Sequence, residues 1–337
     1  MMESLGGRNL TDDMLNDFKN IDFDNPAEVH QMIQKYHKAK ITDMFYEAWI
    51  NAILSAPASH AANILGNTLA IITKIPETSL TSMIRGDIPV DEVQAEIFGA
   101  LQGFKDGVRA GLKAYKTGVP SDYMNKIEHQ KYHAIPGKTG EIIRIPTRAL
   151  TAADEFFKSI VYRMELNRQA YLIAKKEGLK GDKLAERIGE IINDPAANKG
   201  IFMKARQESL YRTFNKPLGE IGNKIMGIRE KDPTGIFKYV APFIRTPINI
   251  AKFALERTPF NFAKVLIDYK KGKISDDQLA EELAKPIIGT LLMGAAFIGA
   301  LEGMITGGEP KDKKERQLRY AYGWQPYSIK IGDKYYG

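Results

Sequence analysis

Four glycines recur at every fourth position in one stretch of this 337-residue chain: Gly99, Gly103, Gly107 and Gly111, with Ala95 one step earlier. The sequence around them, EIFGALQGFKDGVRAGLKAY, otherwise reads as helix. Each interior glycine costs a helix about 1 kcal/mol relative to alanine, so a contact must offset the row. A stripe without side chains lets a second helix backbone approach closely, as in the small-xxx-small packing of membrane helices. A second stripe follows late in the chain: Ala295, Gly299, Gly303 and Gly307. The spacing predicts tight helix-on-helix packing through both rows. Lys105, Asp106 and Arg109 make the first helix too charged to sit in lipid alone, which favours packing against protein. For the second row, packing within a membrane and packing within protein fit equally well.

Composition narrows the classes. The apolar fraction is 44 %, normal for a folded protein. No cysteine is present, which excludes disulfides, thiolate zinc sites, iron–sulfur clusters and cysteine nucleophiles. A net charge of +7 suits anionic partners such as DNA phosphates or lipid headgroups, but the charge is diffuse, with no run of five or more basic residues. The first residues, MMESLGGRNLTDDML, carry no apolar run of the secretory type. Two long uncharged segments stand out instead, Ala48–Thr73 and Pro286–Leu301. A spanning helix needs about 20 mostly apolar residues. The first segment is long enough but carries polar groups and Pro57; the second is oily but short, with Glu302 at its border. Both suit a conditional membrane inserter or a buried helix of an assembly.

The chain divides by pattern. Residues 1–117 form an N-terminal helical region that includes the uncharged segment 48–73. It opens with a helix capped at Asn25-Pro26, continues through ITDMFYEAWINAILS to a break at Pro57, and ends with the glycine-striped helix from Asp91 to Thr117, stopped by Gly118-Val119-Pro120. Residues 118–147, rich in Pro and Gly, read as an irregular linker. Residues 148–310 form a second helical region. Its helices are expected over Thr151–Lys176, from Asp182 to Asn193, over Ile248–Arg257 and Phe260–Lys271, and after Ser275, with Pro286 opening an oily helix over 286–306. Residues 311–337 hold a charged patch, KDKKER, and a partial β-hairpin in which Gly332-Asp333 is the turn. The returning strand has only Lys334 to Gly337, so the natural chain is expected to continue.

Three strings echo catalytic or metal-binding patterns, and each lacks a required part. Gly137-Lys138-Thr139 echoes the end of a phosphate-binding loop, but position 132 is tyrosine where that loop needs glycine. His129 and His133 have helical metal-ligand spacing without a third ligand candidate. Ser59 and His60 are adjacent and diverge on a helix, unlike a nucleophile–base pair. The reading assigns no catalytic, cofactor-binding or metal-binding residue.

Several strings together resemble one family. SAPASHAANILGNTLA from Ser55, DEFFKSIVYRMELNRQAY from Asp154, APFIRTPINIAKFALERTP from Ala241 and GWQPYSIKIGDKYY from Gly323 occur in the order found in the large internal virion, or ejection-type, proteins of tailed bacteriophages, also called large polyvalent phage proteins. The resemblance covers roughly residues 45–337. It implies a protein carried inside the capsid that leaves ahead of the genome and helps form a conduit across the host envelope. It also implies that the chain runs on past the aromatic hairpin, and it brings no catalytic residues to this region.

These readings converge on an all-α, elongated multi-helix bundle with glycine-striped helices and a short C-terminal β-hairpin. Asn51, Ser55, His60, Asn63 and Asn67 are candidates for a polar network or water-filled lumen, with Ile53, Leu54, Ile64, Leu65 and Leu69 facing lipid or neighbours. The expected function is a non-enzymatic ejection protein. Its partners would be other virion proteins, further copies of itself, the host membrane and DNA, and its location the virion interior and then the host envelope. Two alternatives stay open: a soluble virion scaffold or DNA-packing protein, and a domain of a larger phage polyprotein with an enzymatic activity of unfamiliar type. Glu47, His60 and a basic residue meeting in one cleft would favour the last.

Overall fold

The computed structural model describes residues 12–21, 32, 39–120, 133–232 and 235–337. Among these, the chain is all-α apart from one C-terminal hairpin, as the periodicity predicts. The helix expected after Asn25-Pro26 falls almost wholly outside the described residues. Two compact units form, Met1–Phe253 and Ala254–Gly337.

The first unit contains α1 (Asp12–Asn20), α2 (Ile41–Leu54), α3 (Pro57–Ile72), α4 (Lys74–Ile84), α5 (Pro89–Thr117), α6 (Gly137–Ile143), α7 (Ile145–Lys176), α8 (Gly181–Asn193), α9 (Lys199–Arg212), α10 (Glu220–Glu230) and α11 (Phe237–Val240); α12 (Arg245–Glu256) crosses the boundary. The segment 118–147, read as an irregular connection, instead carries α6 and the start of α7. The Pro and Gly residues there act as punctuation: Pro136 caps α6, and Pro146 lies in the first turn of α7, where its missing N–H costs nothing. The uncharged segment 48–73 is split between α2 and α3 at Pro57, which opens α3.

The long helices α5 and α7 form the centre of this unit. Pro89 opens α5, Asp91 and Glu92 lie in its first turn, and Gly118 closes it in a left-handed conformation at φ 70°. Helices α4, α8, α9, α3 and α2 pack around the pair. The main apolar core lies to one side, where Leu166, Ala170 and Ala174 of α7 meet Ile191 of α8 and Ile201 and Ala205 of α9. A smaller cluster joins Ile50 and Leu54 of α2 to Leu150 of α7.

The second unit contains α13 (Asn261–Lys270), α14 (Asp276–Leu301), α15 (Lys313–Ala321), β1 (Ile329–Ile331) and β2 (Lys334–Tyr336). Ser275 caps α14 by accepting from the Gln278 amide, and Gln278 reaches back to the Ser275 amide. Pro286 lies inside α14 and does not open a new helix. The KDKKER patch forms α15, started by Asp312 accepting the Glu315 amide at 2.8 Å. The strands pair antiparallel, Ile329 with Tyr336 and Ile331 with Lys334, around Gly332-Asp333. Residues 304–307 run along the other edge of β1, with Ile305 bridging Ile329.

Candidate functional site

The first glycine stripe lies face down on α7. A methyl group at Gly103 would stand 2.7 Å from the Ile160 Cα; at Gly107, 2.7 Å from the Phe156 carbonyl oxygen; at Gly111, 2.9 Å from that of Ala152. At Gly99 it would meet the Arg163 carbonyl and, at 2.9 Å, the Met164 Cα. Rising numbers on α5 meet falling numbers on α7, so the two helices run antiparallel. At each of the four the nearest obstacle is backbone and cannot swing away. Direct backbone contact over four turns, with dispersion and Cα–H···O contacts along it, is what offsets the cost of the glycines. Ala95 is only half-buried and does not extend the row. The face continues through Glu96 and Glu92, which are wholly buried.

The second stripe is different and corrects the expectation of an oily helix over 286–306. Helix α14 ends at Leu301, Glu302 is its exposed C-cap, and Gly303 turns left-handed at φ 71°. The Met304 amide donates to the Gly299 carbonyl at 2.8 Å and the Gly303 amide to that of Ala300 at 3.1 Å. This pair of bonds is a Schellman cap, which demands glycine for its backbone angle and not for its small size. Gly307 lies beyond the helix with open space around it, Ala295 is exposed, and a methyl group at Gly299 would stand 3.2 Å from the Ile305 side chain. The close-packed glycine of this unit is Gly289, where a methyl group would run into the Arg257 carbonyl.

Beside the first stripe lies a buried ionic network that the sequence reading missed. Lys74 of α4 donates to Glu165 of α7 at 2.8 Å and lies 2.6 Å from Glu96 of α5. Arg168 of α7 binds Glu165 through two nitrogens, at 2.9 and 3.1 Å, and reaches Glu92 of α5 at 2.8 Å. Glu92 also accepts from Ser82 and Arg85 of α4. Arg212 of α9 donates to Glu77 of α4 at 2.6 Å, to Glu208 at 2.6 Å and to the Ala70 carbonyl of α3 at 2.7 Å. Apart from Arg85 and Glu208, which are partly exposed, these charged side chains are buried. A sliding of α4, α5, α7 or α9 by one turn would strand a charge in the interior, so the network fixes their register.

The network sets its own ionisation. Burial raises the cost of charging Lys74, yet Glu165, Glu96 and Glu208 around it hold its ammonium well above the usual lysine range. Burial also opposes a charge on Glu165, but Arg168 and Lys74 overcome it and hold that carboxyl well below the usual range. Glu208 is lowered to about 2, with burial outweighed by Arg212 and Lys74. Glu96 goes the other way. Burial pushes it up, Lys74 and Arg168 counter this only in part, and its Oε2 has no hydrogen-bond partner. Oε1 accepts from Thr78 at 2.9 Å.

The polar candidates of the uncharged segment separate. Asn51 is buried; its Nδ2 donates to the Glu47 carbonyl at 2.8 Å, and its Oδ1 accepts from the Thr147 hydroxyl. Asn67 is buried and donates to Asn63 at 2.7 Å. Ser55 is exposed and bonds the Ala52 carbonyl, while His60 is half-buried. Among the described residues, Asn51 bonds within α2 and to Thr147 while Asn67 bonds to Asn63, so the candidates divide between separate contacts. Glu47 uses one carboxylate oxygen on Arg144 at 2.9 Å and the other on the Ile135 amide at 2.7 Å; His60 takes part in neither bond. His129 lies outside the described residues. Two clefts of about 380 and 320 Å³ flank the Arg163–Asp106 ion pair; their linings mix apolar groups, Phe98, Ile188 and Ile192 among them, with Lys105, Arg109, Asn167 and Arg206.

These placements amount to an inversion of polarity. In α3, Asn67 faces inward while Leu65, Leu69 and Ile72 are more than half exposed. In α5, Glu92 and Glu96 face inward while Leu101, Phe104 and Leu112 are exposed. The helices of a water-soluble bundle usually place these types the other way round. In α14 every residue from Leu291 to Ile298 is exposed, so that stretch is apolar around its whole circumference with no cover. Among the described residues α14 is also the one helix long and apolar enough to cross a membrane. The signal for the inversion was present in Glu92 and Glu96, which precede Gly99 and Gly103 on the same face at seven-residue spacing. No family model, curated protein or solved structure matches the chain.

Proposed function

We propose that this chain is a non-enzymatic, ejection-type virion protein of a tailed bacteriophage, which assembles with copies of itself and other virion proteins and enters the host envelope to help form a conduit for DNA. The observation that carries the reading is the uncovered stretch Leu291–Ile298 of α14, apolar on all sides. In water such a surface is costly, at roughly 25 cal/mol per Å², and a bilayer or an assembly removes the cost. Two further features support it: the inward-facing charges and outward-facing apolar rows of the first unit, and the four strings that resemble the ejection proteins. From Pro286 to Leu301, a helix rising about 1.5 Å per residue reaches roughly 24 Å. That is short of a bilayer core of about 30 Å, so the segment suits entry as part of an assembly or with local thinning of the lipid.

The absence of native cysteine makes the test direct. Phe297→Cys, carrying an environment-sensitive fluorophore, is mixed as full chain with phosphatidylethanolamine–phosphatidylglycerol vesicles that contain a trapped dye. The proposal expects a blue-shifted probe and dye release. A probe that stays in water at every pH and salt concentration contradicts it and favours a soluble scaffold.

A further inference from the structure

The outer face of α5 has a second surface of defined chemistry. Ile97, Leu101, Phe104, Val108, Leu112 and Tyr115 form a row of mean spacing 3.6, each between 41 and 69 % exposed. At about 100° per residue, Lys105, Arg109, Lys113 and Lys116 fall in the adjoining sector, and all four are exposed. The acid nearest this basic row, Asp106, is held by Arg163 at 2.7 Å. The exposed surface from Ile97 to Thr117 therefore presents an apolar row beside a row of four cations. Its length, 21 residues at about 1.5 Å each, is roughly 31 Å.

Three occupants can be compared. A second copy would bring basic rows together, or set one against the N-terminal half of α5, where Asp91 is the lone exposed acid. A nucleic acid would satisfy the cations but leave six large apolar side chains against a charged polymer. A bilayer with anionic headgroups satisfies both rows, since Leu, Phe and Val enter the acyl boundary while Lys and Arg meet phosphate. We infer that the outer face of α5 is a docking surface for an anionic lipid bilayer, with the helix lying in the plane of the interface. The inference stands apart from insertion of α14, because the two surfaces belong to different units and respond to different probes.

The test uses the full chain with Leu112→Cys carrying the same fluorophore. The vesicles are phosphatidylglycerol–phosphatidylcholine at 3:7 or phosphatidylcholine alone. The expected result is a blue shift with the anionic vesicles that is weak or absent with the neutral ones and reversed by high salt. Each basic side chain near an anionic surface is worth roughly fivefold in partitioning, so K105Q/R109Q/K113Q/K116Q should bind at least fiftyfold more weakly. All four side chains are exposed, and an unchanged circular dichroism spectrum verifies the fold. A probe at position 112 that ignores anionic vesicles, or responds equally to neutral ones, overturns the inference. So does a response to soluble polyglutamate stronger than that to the vesicles, which would point to an acidic macromolecule. A response at position 112 with none at 297, or the reverse, separates this surface from the inserting helix.

Discussion

Gly103 in the first unit and Gly303 in the second each stand in a row of small residues at four-residue spacing. Gly103 lies in helical backbone pressed onto Ile160, where an added methyl group has no room. Gly303 has left-handed backbone at a helix end, with nothing near its missing side chain. One glycine is used for its size and the other for its freedom of rotation. The following sequence tells them apart. Helical sequence continues for more than three turns after Gly103, interrupted only by the stripe's own Gly107 and Gly111, whereas Gly303 is followed by Met304, Ile305, Thr306 and a Gly-Gly-Glu-Pro stop. The contrast extends to the outward surfaces. Around Gly103 the helix carries buried acids, a basic flank and an apolar outer row, while the last four turns of α14 are apolar on every side.

The ionic network offers the strongest way to break this contrast, because it belongs to the first unit alone. Lys74→Met leaves Glu96 and Glu165 without their shared cation, and removing one partner of a buried ion group costs about 3–5 kcal/mol. Chemical denaturation of the full chain should show that loss in the transition of the first unit. A loss below about 1 kcal/mol would mean that water reaches the network.

Two carboxylates in the network should then respond unequally. Glu165→Gln removes charged hydrogen bonds to Lys74 and Arg168 and is expected to cost roughly 2–3 kcal/mol. Glu96→Gln keeps the acceptor that Thr78 and Lys74 use and removes the charge that burial opposes, at the expense of a buried amide without a partner, so a smaller cost of about 1 kcal/mol is expected. Equal costs would contradict the ionisation pattern described for the network.

Acid should weaken the same unit. Glu165 and Glu208 are lowered in the folded state, so the stability they contribute is present above the unfolded value of about 4.3. It is lost as pH falls through their folded values, Glu208 near about 2. Glu96 is raised, so its protonation adds stability as pH falls toward the unfolded value and no more below it; Glu96→Gln should remove that gain above about pH 4.3 and leave the slope below it unchanged. Thermal unfolding followed from pH 7 to 2 gives both slopes.

Much of the fold was legible, because it rests on local rules. The break read at Pro57 and the start read at Asp91 fall within two residues of helices that Pro57 and Pro89 open, Gly118 and Gly178 stop helices, Ser275 caps, and Gly332-Asp333 turns the hairpin. What failed was non-local or depended on several bonds at once. Pro286 reads as a start but sits within α14, which begins at the Ser275 capping box and buries Ala280 and Ala284 before the proline and Gly289 after it. The KDKKER patch becomes helical only because Asp312 caps it and Glu315 pairs with Arg319. Glycine spacing located the α5–α7 contact, yet the same spacing misled at Gly303 and Gly307. The ionic network joins residues as far apart as Glu77 and Arg212. A single sequence shows such charges as an ordinary solvated face.

The pair Gly103→Ala and Gly294→Ala tests the central comparison most directly, by thermal unfolding of two otherwise identical chains. Alanine gains about 1 kcal/mol of helix propensity at either position. At Gly103 the backbone of α7 must move, and overpacking of this kind costs about 1–3 kcal/mol, so a net loss is expected there. At Gly294 the space is open, and the variant should be unchanged or more stable by up to about 1 kcal/mol. A stabilised Gly103→Ala would contradict the claim that the glycine face of α5 exists for backbone-to-backbone contact with α7.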